Sequence, residues 1–337
     1  MSASGGRIDV HVHSMLPAYA AIIRASSLGP NVRIPEWSPQ LALEMMDRHG
    51  IAAAVTSLSV PGTHLGDSER ARVAARACNE EAAEMCAAHK RLGAFATLPL
   101  PDVELACAEA IHALDVLKLD GIGLLANYGG KYLGHADYDP LMEVLDTRGA
   151  TVHIHPAVHP STKLVELGVP NFMLEYPFDT TRCATNMVFA DILGRYPRIN
   201  FILSHGGGAL PFLAWRIAAI ATWQLANPPA SERFLRDNFK TRLIEKYPDI
   251  TPDVVRAQMR RFWYDIALAP DTGAIAAIRE IADPGRILFG SDWPYAYENI
   301  VADGIVKFTE APGLSPAGRG AIERGNALNL FPKFAAI

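Results

Sequence analysis

The sequence predicts a (β/α)8 barrel, an α/β fold in which eight parallel strands alternate with helices. Eight short apolar runs recur along the 337 residues, and longer helix-forming stretches separate them. Most of these runs are almost continuously apolar, as parallel strands covered on both faces should be. An open doubly wound sheet is the alternative, but no G-x-G-x-x-G motif follows the first run. The alternation therefore favours the barrel.

The predicted strands and helices follow one another with the expected start and stop signals. Ser38 and Pro39 are typical of a helix start, and Gly50 stands where that helix should end. Two connections are unusually long, about 14–37 and about 224–261, and we expect small insertions there that form a lid or an oligomer contact. No linker separates two domains, so residues 1–337 are predicted to form one barrel domain. The predicted strands are 7–13, 53–60, 92–100, 121–128, 151–156, 200–205, 262–268 and 287–292.

Composition and charge exclude several classes of protein. Half of the residues are hydrophobic and 20% are charged, which excludes a disordered chain. The net charge of -5 offers no basic surface for nucleic acid or for an anionic membrane. The four cysteines form no C-x-x-C pair and are expected to be reduced thiols. Without a secretory signal or an apolar run of about 20 residues, a cytoplasmic protein with no membrane contact is expected.

Histidine or aspartate residues end four of the eight predicted strands. In a barrel of this kind the carboxyl ends of the strands meet on one face, where chemistry collects. We therefore expect these side chains to lie close together. They are His11 and His13 in the first strand, His153 and His155 in the fifth, His205 in the sixth and Asp292 in the eighth.

These residue types predict a site for one metal ion. Side chains two apart on a strand share a face, so the two histidines of the first strand can meet one ion. Imidazoles with one carboxylate suit a divalent first-row metal, with zinc as the first choice and manganese as the second. His153 shares its face with His155, but we prefer His155 because it ends the strand before Pro156. Predicted strands four and five contain no lysine that could bridge two ions. The predicted ligands are His11, His13, His155 and Asp292.

Longer motifs around these residues resemble the amidohydrolase superfamily. The resemblance is closest to the branch that contains aminocarboxymuconate semialdehyde decarboxylases and ortho-hydroxybenzoate decarboxylases. It extends from about residue 7 to 331, and the matching stretches are 8–13, 153–156, 175–182, 202–207 and 288–294. Within the branch, residues 35–39 and 57–65 are most similar to 6-methylsalicylate decarboxylases. The semialdehyde decarboxylases carry arginines that bind a dicarboxylate in the helix after the segment that matches residues 35–39. In this sequence that helix has no arginine before Arg48, which favours a monocarboxylated phenol as the substrate.

The resemblance implies a metal-dependent, non-oxidative decarboxylase that acts on a small aromatic acid of the 6-methylsalicylate type. Such a carbon–carbon lyase protonates the ring carbon before CO2 leaves. Asp292 is then the immediate proton donor with His205 in support, or the two roles are reversed. His64 and Trp293 are candidate substrate contacts, and the family implies a homodimer with one divalent ion per chain. The alternatives are a hydrolase of a lactone, amide or ester, a semialdehyde decarboxylase and a non-catalytic metal-binding barrel.

Overall fold

Ten strands are present in the computed structural model, which describes residues 6–27, 32–164, 167–226, 228–239 and 241–337. Residues 28–31, 227 and 240 of the two predicted insertions lie outside the described residues. The strands are β1 (Arg7–His13), β2 (Ile51–Ser57), β3 (Leu92–Ala96), β4 (Gly121–Leu125), β5 (Asn127–Tyr128), β6 (Lys131–Tyr132), β7 (Thr151–His155), β8 (Asn200–Leu203), β9 (Trp263–Asp265) and β10 (Ile287–Leu288).

Helices follow most of the strands and cover the outside of the sheet. The α-helices of the described residues are α1 (Pro17–Ala25), α2 (Pro39–His49), α3 (Ser68–Ala88), α4 (Val103–Ile111), α5 (Asp139–Thr147), α6 (Asn171–Phe189), α7 (Ile192–Arg195), α8 (Leu210–Ile220), α9 (Arg233–Asn238), α10 (Arg242–Lys246), α11 (Pro252–Met259), α12 (Thr272–Ile281), α13 (Glu298–Glu310), α14 (Pro316–Gly320) and α15 (Asn326–Leu330). The predicted start of α2 is confirmed, since the Ser38 hydroxyl accepts a hydrogen bond from the Leu41 N–H at 3.1 Å.

Eight of the strands form one parallel sheet in the order β1-β2-β3-β4-β7-β8-β9-β10, and β5 and β6 form a separate hairpin. The chain beyond β10 returns to β1 and closes the sheet. There the N–H of Val10 donates to the Phe289 carbonyl at 3.0 Å, and the N–H of Asp292 donates to the His11 carbonyl at 2.8 Å. The predicted (β/α)8 barrel is confirmed.

Apolar side chains fill the amino-terminal part of the barrel. Ile8, Val10 and Phe95 belong to one buried cluster with Phe331 and Phe334 from the end of the chain. The rings of Phe95 and Phe331 meet edge to face, with their centroids 5.9 Å apart. The C-terminal segment therefore closes the bottom of the barrel and leaves the carboxyl ends of the strands for polar residues.

Several strands end earlier than the sequence predicts. β8 ends two residues before His205, and β10 ends four residues before Asp292. Both residues have a positive φ, +54° for His205 and +65° for Asp292, which no strand residue adopts. These residues therefore stand on turns just beyond the strands, and such strained backbone is common at functional sites.

The two predicted insertions contain helices. The first holds α1, and the second holds α9, α10 and α11. The helical stretch from His205 to Ala226, which leads into the second insertion, is long enough to cross a membrane, and an 18-residue window within it has a mean hydropathy of 1.2. No such stretch was expected from the sequence. Because 44% of that window is buried against the rest of the protein, we interpret the stretch as a core helix of the barrel.

Candidate metal centre

The four predicted ligands meet at the mouth of the barrel, where all of them are buried. Oδ1 of Asp292 lies 3.0 Å from Nε2 of His13 and 3.3 Å from Nε2 of His11. These two imidazole nitrogens are 3.2 Å apart. The ring of His155 completes the group, with its centroid 4.8 Å from that of His13. One nitrogen or oxygen from each of the four residues lies within 4.8 Å of the others.

Hydrogen bonds on the far side of each imidazole orient the histidines. Nδ1 of His11 donates to Oδ2 of Asp265 at 3.0 Å. Nδ1 of His13 lies 3.4 Å from the Ser57 carbonyl, and Nδ1 of His155 lies 2.8 Å from the Pro156 carbonyl. Each of these acceptors favours a proton on Nδ1, so the Nε2 lone pairs are free to face the centre of the group. Metal-binding histidines are held in this way.

The group requires a positive charge at its centre. Oδ1 of Asp292 is buried and receives no well-aligned hydrogen bond from the described residues, although two imidazole nitrogens lie within 3.3 Å. Burial lowers the pKa of His11, but the carboxylates of Asp265 and Asp292 outweigh it and raise that pKa to about 10. A proton on His11 supplies the charge when no cation is bound, and a divalent cation would replace that proton. The donor set therefore fits a metal ion and indicates a metal site.

Asp265 supports the group from below, and the sequence analysis missed it. Its Oδ1 accepts the backbone N–H groups of His205 at 3.0 Å and Ala267 at 3.1 Å. Its Oδ2 accepts from His11 and, at 3.2 Å, from Nε2 of His153. Burial raises the pKa of Asp265, but His11 and these hydrogen bonds hold it well below its usual value. A signal existed in the sequence, since Asp265 is the only acidic residue in predicted strand seven.

His153 lies deeper in the barrel than His155. Its ring stacks on Phe95 with an interplanar angle of 13° and a centroid distance of 5.4 Å. His11, His153 and Asp265 also bring ligand atoms within 4.8 Å of one another. Because hydrogen bonds already join these three side chains, we interpret them as a support for the first group.

His205 stands beside the four predicted ligands. Its ring centroid is 4.9 Å from that of His11 and 5.7 Å from that of His155. Nδ1 of His205 donates to the Ala267 carbonyl at 3.1 Å, so its Nε2 carries the lone pair. Burial is the main cause that lowers the pKa of His205, and its imidazole is therefore neutral at neutral pH.

A cavity of about 370 Å³ opens next to His155. It lies over the ends of β2, β3, β4 and β7, and apolar side chains such as Leu98 and Leu124 form much of its wall. His64 lines this cavity and is half-buried. Trp293 packs in the main hydrophobic core with 8% of its surface exposed. Its contact with a substrate stays a prediction.

Two tyrosines that the sequence analysis missed stand against the imidazoles. The ring of Tyr295 meets that of His13 at a centroid distance of 5.2 Å, and the ring of Tyr176 meets that of His155 at 6.0 Å. Burial is the main cause that raises the pKa of Tyr295 to about 12, so its phenol stays protonated and can donate a hydrogen bond. Tyr295 comes three residues after Asp292, which could have drawn attention to it.

Known proteins share this chain's sequence and fold over nearly its whole length. It is 34% identical to a 6-methylsalicylic acid decarboxylase of Penicillium expansum, over 98% of each chain. It is 30% identical to a gamma-resorcylate decarboxylase of a Polaromonas species, over 86% of each chain. A dihydroxybenzoic acid decarboxylase from Polaromonas, solved with manganese and the inhibitor 2-nitroresorcinol, superimposes with a TM-score of 0.73 at 24% identity over 97% of each chain. The amidohydrolase family model matches residues 8–333. The chain therefore belongs to the amidohydrolase family.

Proposed function

We propose that this protein is a metal-dependent, non-oxidative decarboxylase of an ortho-hydroxybenzoate acid, and thus a carbon–carbon lyase. The observation that carries the proposal is the convergence of three imidazoles and one carboxylate beside a largely apolar cavity. Such a cavity suits an aromatic ring, and a divalent cation held by these four residues would suit the carboxylate of that ring. The identity to 6-methylsalicylic acid decarboxylases supports 6-methylsalicylate as the first compound to test.

One divalent ion would be held by His11, His13, His155 and Asp292. When bound, it would stabilise negative charge on the substrate's carboxylate and hydroxyl oxygens. The three imidazoles favour zinc, which we keep as the first choice. The manganese in the related Polaromonas structure supports manganese as the second choice.

The protein must deliver a proton to the ring carbon that bears the carboxylate. Direct loss of CO2 would leave an aryl carbanion, which is too unstable to form. Protonation of that carbon first allows the C–C bond to break, and the bonding electrons restore the aromatic ring as CO2 departs. The net reaction consumes one proton and replaces the carboxylate with hydrogen.

Asp292 and His205 are the two candidates for the proton donor. Burial raises the pKa of Asp292, but its contacts with His11 and His13 hold it well below the usual value, so it is ionised at rest. Asp292 therefore has to receive a proton from the substrate or from His205 before it can act as an acid. We propose Asp292 as the immediate donor and His205 as its support. Tyr295 keeps its phenol proton, so it can orient the substrate through a hydrogen bond but does not act as a base.

We also propose contacts for the substrate. His64 lines the cavity and can donate to a substrate oxygen. Trp293 is proposed as a wall behind the ring, on the strength of its position next to Asp292.

The decisive experiment combines elemental analysis with a panel of ortho-hydroxybenzoates. We expect about one metal ion per chain and release of CO2 from 6-methylsalicylate or a close analogue. The chelator-treated protein is the control, and activity should return when the metal is restored. Lactones, amides and esters test the hydrolase alternative. Hydrolysis of one of these without any CO2 release from the acids would contradict the proposal.

A homodimer is the assembly we propose. Five large apolar side chains on α6, on α8 and just after α8 are more than half exposed: Phe172, Met173, Phe212, Trp215 and Trp223. Together they expose roughly 600 Å² of apolar surface, most of the roughly 800 Å² per partner that a stable dimer buries. Light scattering should report twice the chain mass. A Phe212→Glu variant should be monomeric, whereas Val73→Glu, at an exposed position of α3, should leave the dimer intact.

The cytoplasm is the location we propose. All four cysteines are free thiols, as a reducing compartment requires. Fractionation of the source cells would test this directly.

A further inference from the structure

Asp179 of α6 is a buried carboxylate that the reaction proposed above does not use. Only 1% of its surface is exposed. Its Oδ1 accepts from the hydroxyl of Tyr132 at 2.9 Å, and both of its oxygens lie 3.0 Å from Nδ2 of Asn127. Its Oδ2 also accepts the backbone N–H of Ala157 at 2.9 Å. Because a carboxylate is costly to bury, its position calls for an explanation.

The N–H of Ala157 belongs to the peptide group that holds the predicted ligand His155. The carbonyl of this peptide group is that of Pro156, and it accepts from Nδ1 of His155 at 2.8 Å. The bond between Pro156 and Ala157 is trans, so its C=O and its N–H point in opposite directions. Asp179 and His155 therefore lie on opposite sides of one peptide group, joined through it by two hydrogen bonds.

This chain of hydrogen bonds acts on the nitrogen that faces the metal centre. Burial holds the pKa of His155 well below its usual value, so the imidazole is neutral and its single proton is on Nδ1. A carboxylate that accepts the N–H of a peptide polarises the peptide and makes its carbonyl a stronger acceptor. A stronger acceptor at Nδ1 orients the ring and raises the basicity of Nε2. Asp265 supports His11 by direct contact, whereas Asp179 reaches His155 through one peptide group.

The β5–β6 hairpin keeps Asp179 in this role. Asn127 and Tyr132 of the hairpin donate to the carboxylate from the side away from Ala157. Each carboxylate oxygen has two donors, so a proton on either oxygen would displace one of them. Burial raises the pKa of Asp179, and these hydrogen bonds oppose that rise. The contacts therefore favour the charged form, which polarises the peptide most strongly.

We propose that Asp179 is a positioning residue of the metal centre, which orients His155 and strengthens its bond to the metal ion through the peptide group between Pro156 and Ala157. This inference rests on the metal centre of the proposed function.

Two variants of Asp179 and one control test the proposal by competition titration of zinc with a coloured chelator. Asp179→Asn keeps the shape of the side chain and removes its charge. Asp179→Ser removes the charge and leaves room for a water molecule, which the three donors can hold. In both variants we expect the affinity for zinc to fall about tenfold, the lower part of the range for partners of metal-binding histidines.

Tyr132→Phe is the matched control, because it removes a hydrogen bond to the same carboxylate but leaves the N–H of Ala157 in place. Its ring can still stack on His159, where the two rings lie at an interplanar angle of 8°. We expect its affinity for zinc to equal that of the wild type. A role in folding alone would lower the free energy of unfolding in urea in all three variants without changing the affinity of the folded protein for zinc.

Nuclear magnetic resonance of the zinc-loaded protein with 15N-labelled histidine provides a second readout. The proton on Nδ1 of His155 should move upfield in both Asp179 variants, because its hydrogen bond to Pro156 weakens, and should not move in Tyr132→Phe. Wild-type affinity in a folded Asp179 variant, an equal loss in Tyr132→Phe or an unmoved resonance would overturn the role of Asp179. Either variant decides if the other does not fold. If the wild type binds zinc but releases CO2 from no ortho-hydroxybenzoate, the proposed function is wrong, and the zinc affinities still decide the role of Asp179.

Discussion

Replacing Asp265 with asparagine should disable the metal centre without touching a predicted ligand. The Asp265 carboxylate accepts four hydrogen bonds, two from backbone N–H groups and two from the imidazoles of His11 and His153. In Asp265→Asn the amide oxygen can still accept the two backbone N–H groups. The amide NH2 must then face the two imidazole N–H groups. Because all of these groups are donors, no hydrogen bond can form between them.

The magnitude follows from the lost bond of His11, since His153 is not a predicted ligand. A hydrogen bond to a charged group is worth about 1.5–3 kcal/mol, and about 2.7 kcal/mol corresponds to a 100-fold change in affinity. His11 can avoid the clash by moving its proton from Nδ1 to Nε2. Since Nε2 is the atom that faces Asp292, this tautomer removes the lone pair that a metal ion needs. We expect metal binding to weaken by about 100-fold, the upper part of the range for partners of metal-binding histidines.

A competition titration with a coloured chelator measures this change for zinc and for manganese. Asp271→Asn is the matched control, because Asp271 is exposed and, among the residues the structure describes, accepts only the N–H groups of Gly273 and Ala274 at the start of α12. Urea unfolding should confirm that both variants are folded. Wild-type metal affinity in Asp265→Asn would show that the orientation of His11 does not depend on this carboxylate.

Three further predictions concern activity and stability. Asp292→Asn should lower CO2 release by about 100-fold or more and reduce the metal content; retained turnover would remove Asp292 from the mechanism. Gly208→Ala should lower the free energy of unfolding in urea by about 3 kcal/mol, because Gly208 has a φ of +64° and a Cβ would overlap the Pro177 carbonyl oxygen. Burial, the main cause, raises the pKa of Cys78 from 9.0 to about 12. The unfolded chain therefore ionises first as the pH rises, and the free energy of unfolding should fall between pH 9 and 12 by up to about 1.4 kcal/mol per pH unit. In a Cys78→Ala variant the free energy of unfolding should fall less over that interval. An equal fall in the variant and the wild type would show that ionisation of Cys78 is not the cause.

The barrel could be predicted because its signals are local. Each strand is a short apolar run, and β1 begins and ends where the sequence predicts. The residues at which the strands end were harder to predict. The run 287–292 predicts a strand, but β10 ends at Leu288 because Asp292 takes up a left-handed turn. That turn forms where the segment after β10 pairs with β1 to close the sheet. The spacing of residues along the sequence does not show such a long-range contact.

The candidate site was predictable in its members but not in its supports. Alternation along a strand places His153 and His155 on the same face, and their order along the strand favoured His155 as the ligand at the mouth. The hydrogen bond of the deeper His153 to Asp265 could not be read from the sequence. Asp265 itself was hidden in the middle of the predicted strand 262–268, and only the structure shows that β9 ends at this residue. Tyr176 lies on α6, and no sequence spacing connects that helix with His155.

The seam that closes the barrel also runs through the candidate metal centre. His11 and His13 come from the first strand, and Asp292 comes from the segment that pairs with it about 280 residues later. During synthesis, a nascent chain cannot assemble these ligands until the segment that carries Asp292 has left the ribosome. Metal loading thus has to wait for this segment, and a bound ion would act as a clasp between β1 and the segment after β10. Truncated chains should consequently leave the ion in solution, even when their remaining strands have formed.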